Sequence, residues 1–147
     1  MKKNGVTKEI RDAGPQRATA MFERVRELCL SFDDVEEKLS HGEPTFFTAK
    51  RVFVMYAADH HGDLRYALWC NVPEGAQDIL LKSDPENFFF PPYVGKGGWV
   101  GLRLDRTATW STVKAIVTDS YNFTRAKARR KKTSRASART RSGQSRA

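Results

Sequence analysis

The cations of this 147-residue chain are concentrated at one end, and that separation decides which part of it can fold. From residue 125 onward stand Arg125, Lys127, Arg129, Arg130, Lys131, Lys132, Arg135, Arg139, Arg141 and Arg146, ten cations without one acidic residue. The whole chain holds 26 Lys+Arg and 17 Asp+Glu, so residues 1–124 carry 16 cations against 17 acids. The net charge of +9 therefore belongs to the end of the chain and not to its body. No large apolar residue follows Phe123. A like-charged run with nothing to bury repels itself, and residues 125–147 are expected to form a disordered basic tail.

The remaining stretch suits a single domain. About 120 residues suffice for one hydrophobic core without a metal or a covalent staple. Cys29 and Cys70 form no C-x-x-C pair, which favours two buried thiols in a reducing compartment, and hence a cytoplasmic location. No stretch reaches the ~18 apolar residues of a membrane span, and no apolar run follows Lys2 and Lys3 as a signal peptide would require. No membrane association is expected, and the triplet Asn122-Phe123-Thr124 is not read as a glycosylation site.

Residues 1–14 are polar and read as a flexible leader, so the domain is expected over residues 15–124. Ala18, Met21, Phe22, Val25, Leu28, Cys29 and Phe32 recur at the spacing of one helical stripe. Pro15 suits the first turn of that helix, where a missing N–H costs nothing. The period then changes. Residues 35–40, Thr45–Thr48, Arg51–Ala57 and Leu64–Val72 have strand character, separated by turn residues such as Gly42-Glu43-Pro44, and so predict an antiparallel meander. A second helix opens at Pro73, with Ala76, Ile79 and Leu80 facing inward. Phe88–Tyr93 is an aromatic connector, and Gly95, Gly97 and Gly98 turn the chain into a strand over Trp99–Leu104. Thr109 caps a last helix running to about Phe123, with Trp110, Val113, Val117 and Tyr121 on one face. The fold class is α+β: a two-layer domain with an antiparallel sheet covered on one face by helices.

Several segments carry a family resemblance. His41-Gly42-Glu43-Pro44-Thr45-Phe46, Ala67-Leu68-Trp69-Cys70, Pro91-Pro92-Tyr93-Val94-Gly95 and Gly98 through Asp105 resemble the MmcQ/YjbR family. The resemblance runs from about Arg17 to Tyr121 with its motifs in the family's order. It implies a fold similar to secretion chaperones, α-β-β-β-α-β-β-α, and a DNA-binding role with a proposed double-wing mode. It implies no catalytic residue, and the basic tail lies outside it.

Strand alternation supplies the sharpest surface hypothesis. In Leu64–Val72 one face shows Leu64, Tyr66, Leu68, Cys70 and Val72, and the other Arg65, Ala67, Trp69 and Asn71. In the later strand Val100, Leu102 and Leu104 oppose Trp99, Gly101, Arg103 and Asp105. Arg65, Trp69, Trp99 and Arg103 thus share the face away from the helices, where rings and guanidinium groups can stack bases and neutralise phosphates. The competing account, favoured by the rarity of large exposed aromatic patches, packs these rings under the connector or in a homodimer interface, with the arginines as cation–π partners.

Catalytic and metal readings are weak. His60-His61 between Asp59 and Asp63 reads as a polar turn, because adjacent side chains seldom converge on one ion. His41 with Glu43 in a Gly-Pro turn reads as structural. The glycines at 95, 97, 98 and 101 lead into a strand rather than into a phosphate-binding helix N-terminus. No cofactor, metal or enzymatic activity is expected. The favoured function is DNA binding, with RNA also open, largely independent of sequence and through the Lys/Arg-rich tail. The alternative is a protein-interaction or chaperone-like module, which a near-neutral folded domain favours.

Overall fold

A computed structural model describes the backbone of residues 2–144 and the side chains of residues 13–135. Its elements are α1 (Lys2–Ser31), β1 (Val35–Ser40), β2 (Glu43–Thr48), β3 (Arg51–Ala58), β4 (Tyr66–Cys70), α2 (Ala76–Ser83), β5 (Phe88–Phe89), β6 (Val100–Arg103) and α3 (Trp110–Gln144). The six strands form one sheet in the order β1-β2-β3-β4-β6-β5, antiparallel at every pairing. The α+β class holds, with four strands before α2; the first of them, β1, is an edge strand. Among the described residues no helix is long and apolar enough to cross a membrane.

Helices α1 and α3 cover one face. Ala18, Phe22, Val25 and Cys29 of α1 and Val113, Val117 and Tyr121 of α3 are buried against Phe46, Val54, Tyr56, Leu68, Cys70, Val100 and Leu102 of the sheet. A β-bulge adds one core ring. Phe46 pairs with Val54 but Phe47 with Val52, so Phe53 is the extra residue, and its ring meets Tyr121 edge-on at 5.6 Å. Arg17 closes the bottom of the layer by donating to the Leu104 and Ala108 carbonyls at 2.5 and 2.6 Å.

The structure differs from the sequence reading at both helical ends. The first helix begins at Lys2, not Pro15, and the proline lies inside it. The last helix does not stop near Phe123 but continues to Gln144. Ala, Lys and Arg are strong helix formers, and no Gly or Pro interrupts the chain between Trp110 and Ser142. The helical backbone therefore continues into the basic segment. Residues 145–147 lie outside the described residues, as do the side chains of Arg139, Arg141 and Arg146.

Two inward assignments are also corrected. Ile79 is 67% exposed, because the eight-residue α2 rests on its Ala76, Gln77, Leu80 and Leu81 side, and Ile79 falls opposite. Leu64 lies ahead of β4 in a left-handed turn and is 72% exposed. The turn is fixed by Asp59, which accepts from Leu64 N–H at 2.8 Å, and by Asp63, which accepts from Arg65 N–H at 2.9 Å.

Candidate functional site

Helix α3 leaves the core after Thr124. Tyr121 and Thr124 are its last buried residues, with the Thr124 hydroxyl accepting from Asn71 Nδ2 at 3.0 Å. Arg125 still touches the domain, donating to the Asp33 carbonyl at 2.9 Å and to the Tyr121 hydroxyl at 3.0 Å. Lys127, Arg129, Arg130, Lys131, Lys132 and Arg135 are exposed. Of the predicted tail cations, Arg125 is thus a tether, and the others with described side chains present free charge.

These charges face others that the sequence reading missed. A groove of about 1000 Å³ lies between the helical extension and the β1–β3 side of the sheet, lined by Lys131, Lys132 and Arg135 on the helix and by Lys38, Lys50 and Arg51 on the sheet. Its lining also holds two acids: Glu36 pairs with the groove's own Lys38 at 3.1 Å, and Asp34 accepts from Ala49 N–H at 3.2 Å. Among the described residues Lys50, Arg51, Lys131, Lys132 and Arg135 make no ion pair. Lys50 stands at the β2–β3 turn, where Ala49 and Lys50 both adopt left-handed backbone, with φ of 50° and 63°. Tight hairpins need such angles and usually take Asn or Gly there, since other residues pay about 1–2 kcal/mol. Two adjacent basic residues after a strand were the available signal in the sequence. Their convergence with the helix was not, because it depends on α3 continuing past Phe123.

The opposite sheet face is not an open platform. Trp69 is 2% exposed, and Arg65 lies over the Phe89 ring, 4.4 Å from its centroid. Arg103 is bound by Asp105 at 2.9 and 3.0 Å, and this pairing raises its pKa further. The connector supplies the cover. Phe88 enters the core, Phe89 lies across Gly101, and Phe90 lies across Gly95, so a methyl group at either glycine would collide with a ring. Those glycines make room for aromatic rings and not for phosphate. On this face Arg65 thus lies on an aromatic ring and Arg103 against a carboxylate.

One part of the face stays accessible. Trp69 and Trp99 line a cleft of about 710 Å³ with Tyr93, Met55 and all three histidines of the chain, His41, His60 and His61. His60 meets Trp69 edge-on at 5.1 Å, and His61 meets Tyr93 edge-on at 6.4 Å. Glu43 pairs with His60 rather than with its sequence neighbour His41: its Oε1 lies 3.4 Å from His60 Nδ1, and its Oε2 accepts from Ala58 N–H at 3.4 Å. The far wall is set by Gln77, whose Nε2 donates to the Gly95 and Trp99 carbonyls at 2.8 and 2.6 Å. Among the described residues no group of three or more His, Cys, Asp or Glu is placed to hold a metal ion.

The family model described as YjbR matches residues 30–123 of this chain. The crystal structure of Deinococcus radiodurans protein DR2400, whose domain is described as DUF419, superposes with a TM-score of 0.59 at 16% identity, covering 68% of this chain and 75% of that one. At that identity the likeness concerns the fold alone. No curated protein matches. Residues 124–147, with all ten clustered cations, lie beyond the family match.

Proposed function

The chain belongs to the YjbR family, and we propose that it is a non-enzymatic DNA-binding protein that grips the phosphate backbone between its basic helical extension and the β2–β3 turn. The observation that carries this reading is the groove in which Lys50, Arg51, Lys131, Lys132 and Arg135 converge without carboxylate partners. Clustered cations without counter-charges bind a polyanion by releasing its condensed counterions, and they carry no base information. The family part supplies the frame and the hairpin cations, and the segment beyond it supplies most of the charge. Two free buried thiols, Cys29 and Cys70, suit a reducing cytoplasm.

The test is titration of labelled duplex DNA of two unrelated sequences with the full chain and with Lys131→Gln/Lys132→Gln/Arg135→Gln. Both duplexes should bind alike, and the triple variant should weaken both equally. A large preference for one sequence, or unchanged affinity in the variant, overturns the reading. A second reading, pairing with a protein partner or a second copy, is favoured by edge strand β1, where Leu39 is 76% exposed. Exposed Glu36 and Lys38 on the same strand oppose it, since charges on an edge discourage strand addition.

A further inference from the structure

The cleft on the uncovered sheet face has a different chemistry from the basic groove. Trp69, Trp99, Tyr93, His60 and His61 give it flat aromatic walls, and no lysine, arginine, aspartate or glutamate lines it. The nearest carboxylate, Glu43, lies behind the lining and is paired with His60. The Trp69 indole N–H is buried without any hydrogen-bond partner, a donor left free where buried donors are nearly always satisfied. The rim is also held in an unfavourable backbone state. His41, His61 and Tyr93 have φ of 54°, 55° and 66°, so of the eight non-glycine residues with positive φ among the described residues, three line this one cleft. Such outliers cluster where a ligand is clamped. Tyr93 in addition is 75% exposed, although a ring of that size normally packs.

The position adds a further constraint. β1 contributes Lys38 to the basic groove and Ser40 to the cleft, β2 contributes Phe47 and Thr45, and β3 contributes Arg51 and Val52. The two concavities are therefore neighbours along the same three strands. A ligand with a flat, uncharged, acceptor-bearing ring at one end and a phosphate at the other would span them.

We infer that the cleft binds a nucleobase, taken from a free nucleotide or from an unstacked position in a single strand. The ring stacks on Trp99 and Tyr93 and offers an acceptor to the Trp69 indole N–H, while its phosphate runs toward Lys38 and Arg51. The phosphate half of this geometry rests on the groove reading above, and the base half does not.

The test uses the full-length protein and intrinsic tryptophan fluorescence, with Trp69 and Trp99 as reporters and Trp110 outside the cleft. The probes are adenosine, guanosine, cytidine and uridine, with ribose 5-phosphate as the base-free control, followed by a short single-stranded oligonucleotide and its duplex. At least one nucleoside should quench saturably, and ribose 5-phosphate should not compete. Tyr93→Gly and His61→Gly, both at exposed positions whose positive φ glycine adopts without strain, should keep the melting temperature and weaken nucleoside binding about five- to hundredfold, as loss of one stacked base contact does. Lys131→Gln/Lys132→Gln/Arg135→Gln should leave nucleoside affinity within about twofold while lowering oligonucleotide affinity. Loss of single-strand binding in Tyr93→Gly would assign the base to a strand. Loss of nucleoside binding alone would assign it to a free nucleotide. No saturable quenching by any nucleoside, or equal binding by both folded cleft variants, overturns the inference, and unchanged duplex binding in that case leaves the groove reading standing.

Discussion

Truncating the basic extension in single-residue steps should produce a staircase of stability, because the contacts end one at a time. Beyond Arg125 only Ala128 is even half-buried among the described side chains, so a chain ending at Arg125 loses almost no apolar burial. Its stability should lie within about 0.5 kcal/mol of the full chain, a melting shift of roughly 2–3 °C. Removing Arg125 as well gives up its hydrogen bonds to the Asp33 carbonyl and the Tyr121 hydroxyl, a surface contact costing about 1 kcal/mol. Ending at Phe123 removes Thr124, which is buried and bonded to Asn71, and leaves that amide unpaired at a further cost of about 1–3 kcal/mol. Urea denaturation of the three truncations at one ionic strength measures the steps. A loss above about 1.5 kcal/mol in the chain ending at Arg125 would show that the extension docks on the domain, and the free-charge argument would fail.

Two further outcomes follow from the packing. Gly101→Ala should cost about 1–3 kcal/mol by pushing Phe89 off the sheet, and combining it with Phe89→Ala should cost less than the sum of the single changes; additive effects in that double-mutant cycle would refute the contact. Burial raises the Cys70 thiol pKa to about 12, and burial likewise raises the Cys29 thiol and takes the Tyr56 hydroxyl to about 12. All three groups hold their protons more tightly when folded. Their contribution to stability should be intact below about pH 8.5 and fall as pH rises from there toward 12, and it should be smaller in Cys29→Ala/Cys70→Ala; a doubly substituted chain with the same alkaline slope would contradict this.

Periodicity made the core legible. The stripe from Ala18 to Phe32 and the alternation in β4 and β6 are direct records of which side faces the helices: Ala18, Phe22, Val25, Cys29, Leu68, Cys70, Val100 and Leu102 are buried in the core, with Met21, Leu28, Phe32 and Tyr66 packed against it. Reach beyond the period was not legible. Pro15 reads as a helix start because its own backbone allows it, yet α1 passes through it. Arg125 reads as the first residue of a free tail, since nothing local reveals that it reaches Asp33. The shared face of Trp69 and Trp99 was readable from alternation, but the cover over it was not. That cover depends on the connector folding back so that Phe89 and Phe90 lie across Gly101 and Gly95, contacts between residues whose spacing has no period. The three histidines converge for the same reason: they come from two turns that only the sheet register brings together. Nothing local marks Lys50 and Arg51, because their place in the groove depends on α3 continuing beside them.

The central claim, phosphate binding by the groove and the helical extension, is tested most directly by the salt dependence of duplex binding. If the full chain neutralises roughly six to nine phosphates, log affinity against log salt should fall with a slope of about −5 to −8. The chain ending at Arg125 keeps Lys50 and Arg51 but loses nine of the ten clustered cations, so its slope should collapse to about −2 or shallower along with most of its affinity. A slope shallower than about −3 in the full chain, or an unchanged slope in the truncation, would contradict the account.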